Sequence, residues 1–181
     1  MYRIVALVGE SGCGKDYAAT MLCNGYDKFH RVISDTTRPK RSYETDGVHY
    51  HFTGVGEFAK EVMNGNMLEA TCYNGNWYYG TNITSLDENK INIAVLNPEG
   101  ITRLQEDDRV KVIPIRIETN PVDRLMSVLE REAEPNCHEI CRRFLADEEM
   151  FKLFDCATKV FNNYDGNLLD NLLDKINEIT W

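Results

Sequence analysis

The chain has 181 residues, 43% of them hydrophobic and 27% charged, which suits one well-packed core and is too short for two ordinary domains with a linker. A net charge of −9 disfavours nucleic acid and anionic lipid as bulk partners, so a bound anion must be held by a local basic cluster. No apolar run approaches the roughly 20 residues of a membrane span, and residues 4–8 are too few for a signal-peptide core; a cytoplasmic protein acting on small molecules is expected.

Residues 3–8 (RIVALV) predict a short apolar strand that runs directly into a glycine-rich turn. A helix follows over 15–23, then a strand over 29–33. Residues 34–54 are polar and aromatic without a regular period. Residues 55–63 predict a helix in which Phe58, Val62 and Met63 share a face. Strands are expected over 67–73 and 77–81, around a turn at Asn74-Gly75-Asn76. The run INIAVL at 91–96 is apolar throughout, as in a parallel strand covered on both faces. Pro98 opens a helix to about 106, and 110–117 gives another strand. Helices over 121–131 and 139–154, a strand over 159–161 and a helix over 168–179 complete the chain.

Strands alternating with helices predict an α/β three-layer sandwich with a parallel core sheet. The stretch 34–89 breaks that rhythm and reads as an insertion carrying a small mixed or antiparallel sheet. The expected layout is one domain, with its core in 1–33 and 90–181.

Six cysteines without a C-x-x-C pair read as reduced thiols. Cys137 and Cys141 share a helix face, and His49 and His51 share a strand face; neither pair has the further ligands a metal site needs.

Gly9-Glu10-Ser11-Gly12-Cys13-Gly14-Lys15-Asp16 is the strongest local signal. It completes G-x-x-x-x-G-K between a strand and a helix. The glycines let main-chain amides turn inward on phosphate oxygens, the helix start adds its positive end, and Lys15 adds a full charge. This predicts an ATP site over residues 9–16. The hydroxyl residue that normally follows the lysine is Asp16, whose carboxylate is also a candidate Mg²⁺ ligand.

A second group follows: Ser34-Asp35-Thr36-Thr37-Arg38-Pro39-Lys40-Arg41, then Asp46-Gly47-Val48-His49-Tyr50-His51-Phe52, then Glu69 and Gly75-Asn76-Trp77-Tyr78-Tyr79-Gly80-Thr81. With the phosphate loop, these motifs resemble the guanylate kinase family, in order and spacing, over the first half of the chain. The resemblance implies ATP-dependent phosphorylation of GMP or dGMP. It assigns Arg38, Arg41, Tyr50 and Tyr79 to the acceptor phosphate, Glu69 to the N1–H and N2–H₂ donors of guanine, and the hydroxyls of Ser34 and Thr81 to O6. One residue more than the family pattern separates Glu69 from Gly80, so Tyr78 competes with Tyr79; Tyr79 is preferred because it adjoins Gly80.

Such kinases close a basic helical lid over the reactants, which the resemblance places over about 125–150. Arg131, Arg142 and Arg143 lie in the corresponding segment and are implied as catalytic, with Arg142 and Arg143 competing for the second lid position and Arg143 alternatively pairing with Asp147. Val95 and Asn97 stand where the family carries acids, and Asp16 is expected to supply the metal-side charge that Asn97 does not. Val160-Phe161-Asn162-Asn163 is similar to the family's adenine-side segment. Two rival functions stay open: a kinase for another monophosphate, and a non-catalytic protein-binding module. A GTPase is disfavoured because Asn89-Lys90-Ile91-Asn92 does not complete N-K-x-D. A monomer or a homodimer is expected.

Overall fold

In the computed structural model, residues 1–73, 75–131 and 134–181 are described. β1 (Tyr2–Val8) leads into α1 (Lys15–Gly25) and β2 (Phe29–Arg31). Residues Ile4 to Val8 are all 0% exposed, which explains why this segment shows no polar alternation. Side chains alternate across the strand. Val5 and Leu7 therefore pack against α1, while Ile4, Ala6 and Val8 face the opposite layer.

A second sheet then interrupts the first. Its strands are β3 (Asp35–Thr36), β4 (His51–Phe52), β5 (Met67–Tyr73) and β6 (Trp77–Asn82), in spatial order β4-β3-β6-β5. β3 runs parallel to β4 and antiparallel to β6, so the sheet is mixed. α2 (Val55–Met63) covers it with Phe58 alone; Val62 is 44% and Met63 86% exposed. The expected three-residue face is thus one residue, because α2 packs through its middle turn.

The chain returns to the first sheet with β7 (Ile91–Val95), α3 (Pro98–Gln105) and β8 (Val110–Glu118). α4 (Pro121–Arg131), α5 (Cys137–Phe151), β9 (Thr158–Phe161) and α6 (Leu168–Asn177) follow. The first sheet has the order β2-β7-β1-β8-β9, all pairs parallel. β1 and β8 are in register from Tyr2 with Val110 to Val8 with Arg116. α1 and α6 seal one face through Leu22, Leu172 and Ile176; α3 and the end of α5 seal the other through Ile101, Leu104 and Phe151.

One polar side chain sits in this core. Asn92 is fully buried, and its amide donates to the carbonyls of Arg3 and Asp87 while its oxygen accepts from the Asp87 amide. Both donors and the oxygen are engaged, so it ties the turn before β7 to β1 at little cost. The chain leaves β1 into α1 on one face of the sheet and leaves the neighbouring β7 into α3 on the other, and such a switch point opens a crevice beyond the strand ends. No helix among the described residues is long and apolar enough to cross a membrane.

Candidate active site

A cleft of about 230 Å³ opens above the carboxyl ends of β1 and β7, between the second sheet and α4–α5. Of the residues expected at the site, it brings together Gly9, Ser11, Gly12, Lys15 and Asp16 with Ser34, Arg38, Arg41, Tyr50, Glu69 and Tyr79, and with Arg131, Arg142 and Arg143. Glu10, Cys13, Gly14 and Thr81 lie behind the walls.

The glycine-rich loop is built by close approach. Gly12 has φ +84°, and a Cβ there would fall 2.4 Å from the Arg124 carbonyl oxygen. Gly14 has φ +95° and stands at the start of α1, 2.9 Å from where its Cβ would meet Asn162. A side chain at Gly12 would collide with the Arg124 backbone, and one at Gly14 would crowd the Asn162 side chain at a left-handed φ that favours glycine. The loop is gripped from outside. Asn162 donates to the Cys13 carbonyl at 3.0 Å, and Tyr164 donates to the Gly12 carbonyl. The Arg124 guanidinium donates to the Ser11 carbonyl at 3.0 Å, and the Ser11 amide donates to Asp147 at 2.6 Å. Lys15 folds back to donate to the Glu10 carbonyl at 2.9 Å. The Glu10 carboxylate faces away from the cleft, towards Arg116 and Arg124. Cys13 is fully buried, and burial pushes its thiol pKa up.

Asp16, on the first turn of α1, points into the open with its side chain 60% exposed and ion-pairs with Arg31 at 3.2 Å. Among the described residues no three His, Cys, Asp or Glu side chains cluster as a metal cage. Magnesium asks for no such cage: it binds through one or two carboxylates, substrate phosphates and water. An exposed carboxylate beside Lys15 fits that demand.

Across the cleft, Arg38 is 5% exposed. Its fork meets both oxygens of Glu44 at 2.7 and 3.0 Å, and its Nε donates to the Tyr79 hydroxyl at 3.0 Å. Burial opposes the guanidinium's charge, but Glu44 and Tyr79 outweigh it and its pKa rises. Burial likewise works to raise the Glu44 pKa, yet the bonds from Arg38 and from the Arg41 amide hold that carboxyl below its usual range. Tyr50 packs edge-on against Tyr79 with ring centres 5.8 Å apart, and burial raises its hydroxyl pKa. The two candidate tyrosines lie on opposite sides of the second sheet. Tyr79 faces the cleft, whereas Tyr78 is 39% exposed and lies against Phe58 on the other side of the sheet.

Glu69 is 6% exposed on β5, in register with Thr81 on β6. The Thr81 hydroxyl donates to Oε1 at 2.8 Å, and Oε2 is buried without a hydrogen-bond partner. Burial raises the carboxyl pKa to about 7, with the Thr81 bond working in the opposite direction. An orphaned acceptor in a dry wall is costly, which is the expected state of a group meant for a ligand. Thr81 itself is fully buried and spends its hydroxyl on Glu69, so it positions the acid. Asn97, expected as a lost acid, has a use for its amide. Its oxygen caps α3 by accepting from the Gly100 amide at 2.6 Å, and its nitrogen donates to Thr71 at 3.4 Å. A carboxylate there could only accept from the Thr71 hydroxyl, not donate to it.

The third wall is basic. Arg142 forks onto Glu139 at 2.7 and 2.8 Å and reaches the Tyr73 hydroxyl at 3.4 Å. Arg143 is 8% exposed, with Glu139 3.8 Å away. Arg131 stacks 5.0 Å above the Tyr43 ring. Asp147 gives its carboxylate to the Ser11 amide and stands 3.7 Å from Arg124.

With this geometry described, comparison with known proteins is informative. The family model described as "Guanylate kinase" matches residues 1–180. The chain belongs to the guanylate kinase family. A curated guanylate kinase of Paraburkholderia xenovorans (strain LB400) is 32% identical over 171 residues, covering 92% of this chain and 76% of the relative. The MAGUK p55 subfamily member 7 of Danio rerio is 26% identical over 184 residues, 95% of this chain but 31% of the longer protein. The crystal structure of guanylate kinase from Anaplasma phagocytophilum shares the fold, with a TM-score of 0.70 at 19% identity, over 99% of this chain and 88% of that one.

Sequence reasoning missed Glu44, Thr71, Tyr73, Arg124 and Glu139. Glu44 has a faint signal, an acid three residues after Arg41. The others come together only through strand register and helix packing, which no local motif records.

Proposed function

We propose that this member of the guanylate kinase family uses the cleft to transfer the terminal phosphoryl group of ATP to GMP or dGMP, as its family does. The observation that carries the guanine assignment is Glu69: buried, with Oε2 unpartnered and facing Gly100. One carboxylate takes both the N1–H and the N2–H₂ of guanine. Adenine presents an acceptor there and has no 2-amino group, so it would leave the acid unpaired, which discriminates by about 10⁴ or more. Ser34, on the cleft wall and 8% exposed, is the hydroxyl placed for O6.

We assign Arg38, Arg41, Tyr50 and Tyr79 to the acceptor phosphate, the main-chain amides of residues 9–16 with Lys15 to the donor phosphates, and α4–α5 to a lid that brings in Arg131, Arg142 and Arg143. Glu44 holds the Arg38 fork in place before substrate arrives, so less ordering is needed on binding. No general base is required, because the attacking phosphate oxygen is already ionised. Asp16 is the carboxylate that would help hold Mg²⁺, which would offset the negative charge of the donor phosphates. The core, the 34–89 insertion and the lid make up one catalytic domain. All six cysteines are free, in keeping with a reducing cytoplasm.

The retained Lys15 and loop glycines favour an enzyme over a binding module. Formation of ADP from ATP with GMP, dGMP, AMP, UMP and dTMP as acceptors tests the reading. Turnover with the guanine nucleotides alone is expected; turnover with AMP as fast as with GMP, or with no acceptor, would refute it.

A further inference from the structure

Glu139 lies in the first turn of α5, where Asn136 caps the helix by accepting from the Glu139 amide at 3.1 Å. A carboxylate at a helix start is ordinary, since the dipole favours it. Its surroundings are not ordinary. Arg142 forks onto both its oxygens at 2.7 and 2.8 Å, Arg143 stands 3.8 Å away and Arg41 3.9 Å away. An acid paired three residues along its own helix would only decorate the surface. Arg41, however, comes from the loop between β3 and β4, on the opposite wall of the cleft. Three guanidiniums converging from two walls on one anionic group are what a phosphate dianion requires. The carboxyl is also held below its usual pKa range, by Arg142 foremost, so it carries full charge at neutral pH.

We propose that Glu139 is a built-in stand-in for the acceptor phosphate, holding Arg41 and Arg142 together across the cleft and competing with GMP for them. The inference rests on the assignment of Arg41 and Arg142 to phosphate. When GMP enters, its phosphate takes over these guanidiniums and the Glu139 carboxylate must move aside. The carboxylate compensates the charge of these guanidiniums and ties the two walls together, and in doing so it weakens GMP binding. Its side chain is 31% exposed, so the exchange needs no unpacking of the core.

Titration calorimetry of GMP and guanosine binding to the full chain and to Glu139→Gln tests this. Half-exposed ion pairs are individually weak, so loss of the competition should tighten GMP binding by about three- to tenfold. Guanosine, with no phosphate, should bind the variant as it binds the parent. The gain should shrink in strong salt, which screens the competing carboxylate. Glu139→Ala, which removes even a neutral hydrogen-bonding group, should behave like the Gln variant. Unchanged or weaker GMP binding in both variants, or equal tightening for guanosine, would overturn the proposal. Arg41→Ala and Arg142→Ala separate the two levels of inference. If they weaken GMP binding while the Glu139 variants do not tighten it, Glu139 alone has been misread. If they bind GMP as the parent does, the phosphate assignment fails and the proposal fails with it.

Discussion

Replacing Glu69 with Gln should stabilise the nucleotide-free protein at high pH while destroying guanine recognition. Burial raises the Glu69 carboxyl from 4.5 to about 7, so the folded chain binds this proton more tightly than the unfolded chain. A raised carboxyl pKa adds stability that is fully present below about 4.5 and is lost as pH rises towards 7. At pH 8 the ionised side chain therefore costs about 3 kcal/mol, and at pH 5 under about 1 kcal/mol. Gln cannot ionise, so it escapes this pH-dependent cost. It does leave a buried –NH₂ without an acceptor, but that penalty is the same at both pH values. The difference in melting temperature between variant and parent should thus be larger at pH 8 than at pH 5 by about 4–8 °C for a chain of this size. Paired thermal melts at the two pH values, without nucleotide, measure it. Equal differences, or a larger one at pH 5, would show that Glu69 is solvated and would remove the physical basis for its role. In the same variant GMP affinity should fall by about 10³-fold or more, because a carboxamide –NH₂ would oppose the guanine donors. In the parent, GMP affinity should rise as pH climbs towards about 7, since the ligand needs the ionised acid.

Tyr79→Phe should raise the KM for GMP about tenfold by removing one hydroxyl donor, whereas Tyr78→Phe should leave it within about twofold, as steady-state kinetics on the pair will show. Glu44→Ala strands the buried Arg38 charge and should cost about 3–5 kcal/mol, read as a lowered denaturant midpoint. Asp16→Ser should raise the Mg²⁺ concentration needed for half-maximal ATP binding by roughly tenfold; an unchanged Mg²⁺ titration would show that Asp16 serves Arg31 alone.

How far this site can be read from sequence depends on where its chemistry is written. The phosphate loop is contiguous, because one strand, one tight turn and one helix start suffice to aim a row of amides. β1, α1 and the loop between them were accordingly legible to within a residue or two. Glu69 was legible only as part of a linked pattern, since an isolated acid on a strand usually faces water. What suits it to the proposed reading of purine hydrogens is burial plus the register that sets Thr81 opposite it. β3 and β4, two residues each, were invisible because so short a pairing has no period to detect. The same limit hid the support behind the arginines. Glu44 on Arg38, Asp147 on the loop amide of Ser11, and Glu139 between Arg41 and Arg142 are acids spent on cationic or amide donors. Sequence arithmetic records them only as part of a net charge of −9, which appears ill-suited to binding two polyanions. The structure resolves the conflict by position. Arg38, Arg41 and Arg142 line the cleft, and each of these three carboxylates is tied to one of them or to a loop amide, so part of the acidic surplus is spent on holding cleft-side donors in place.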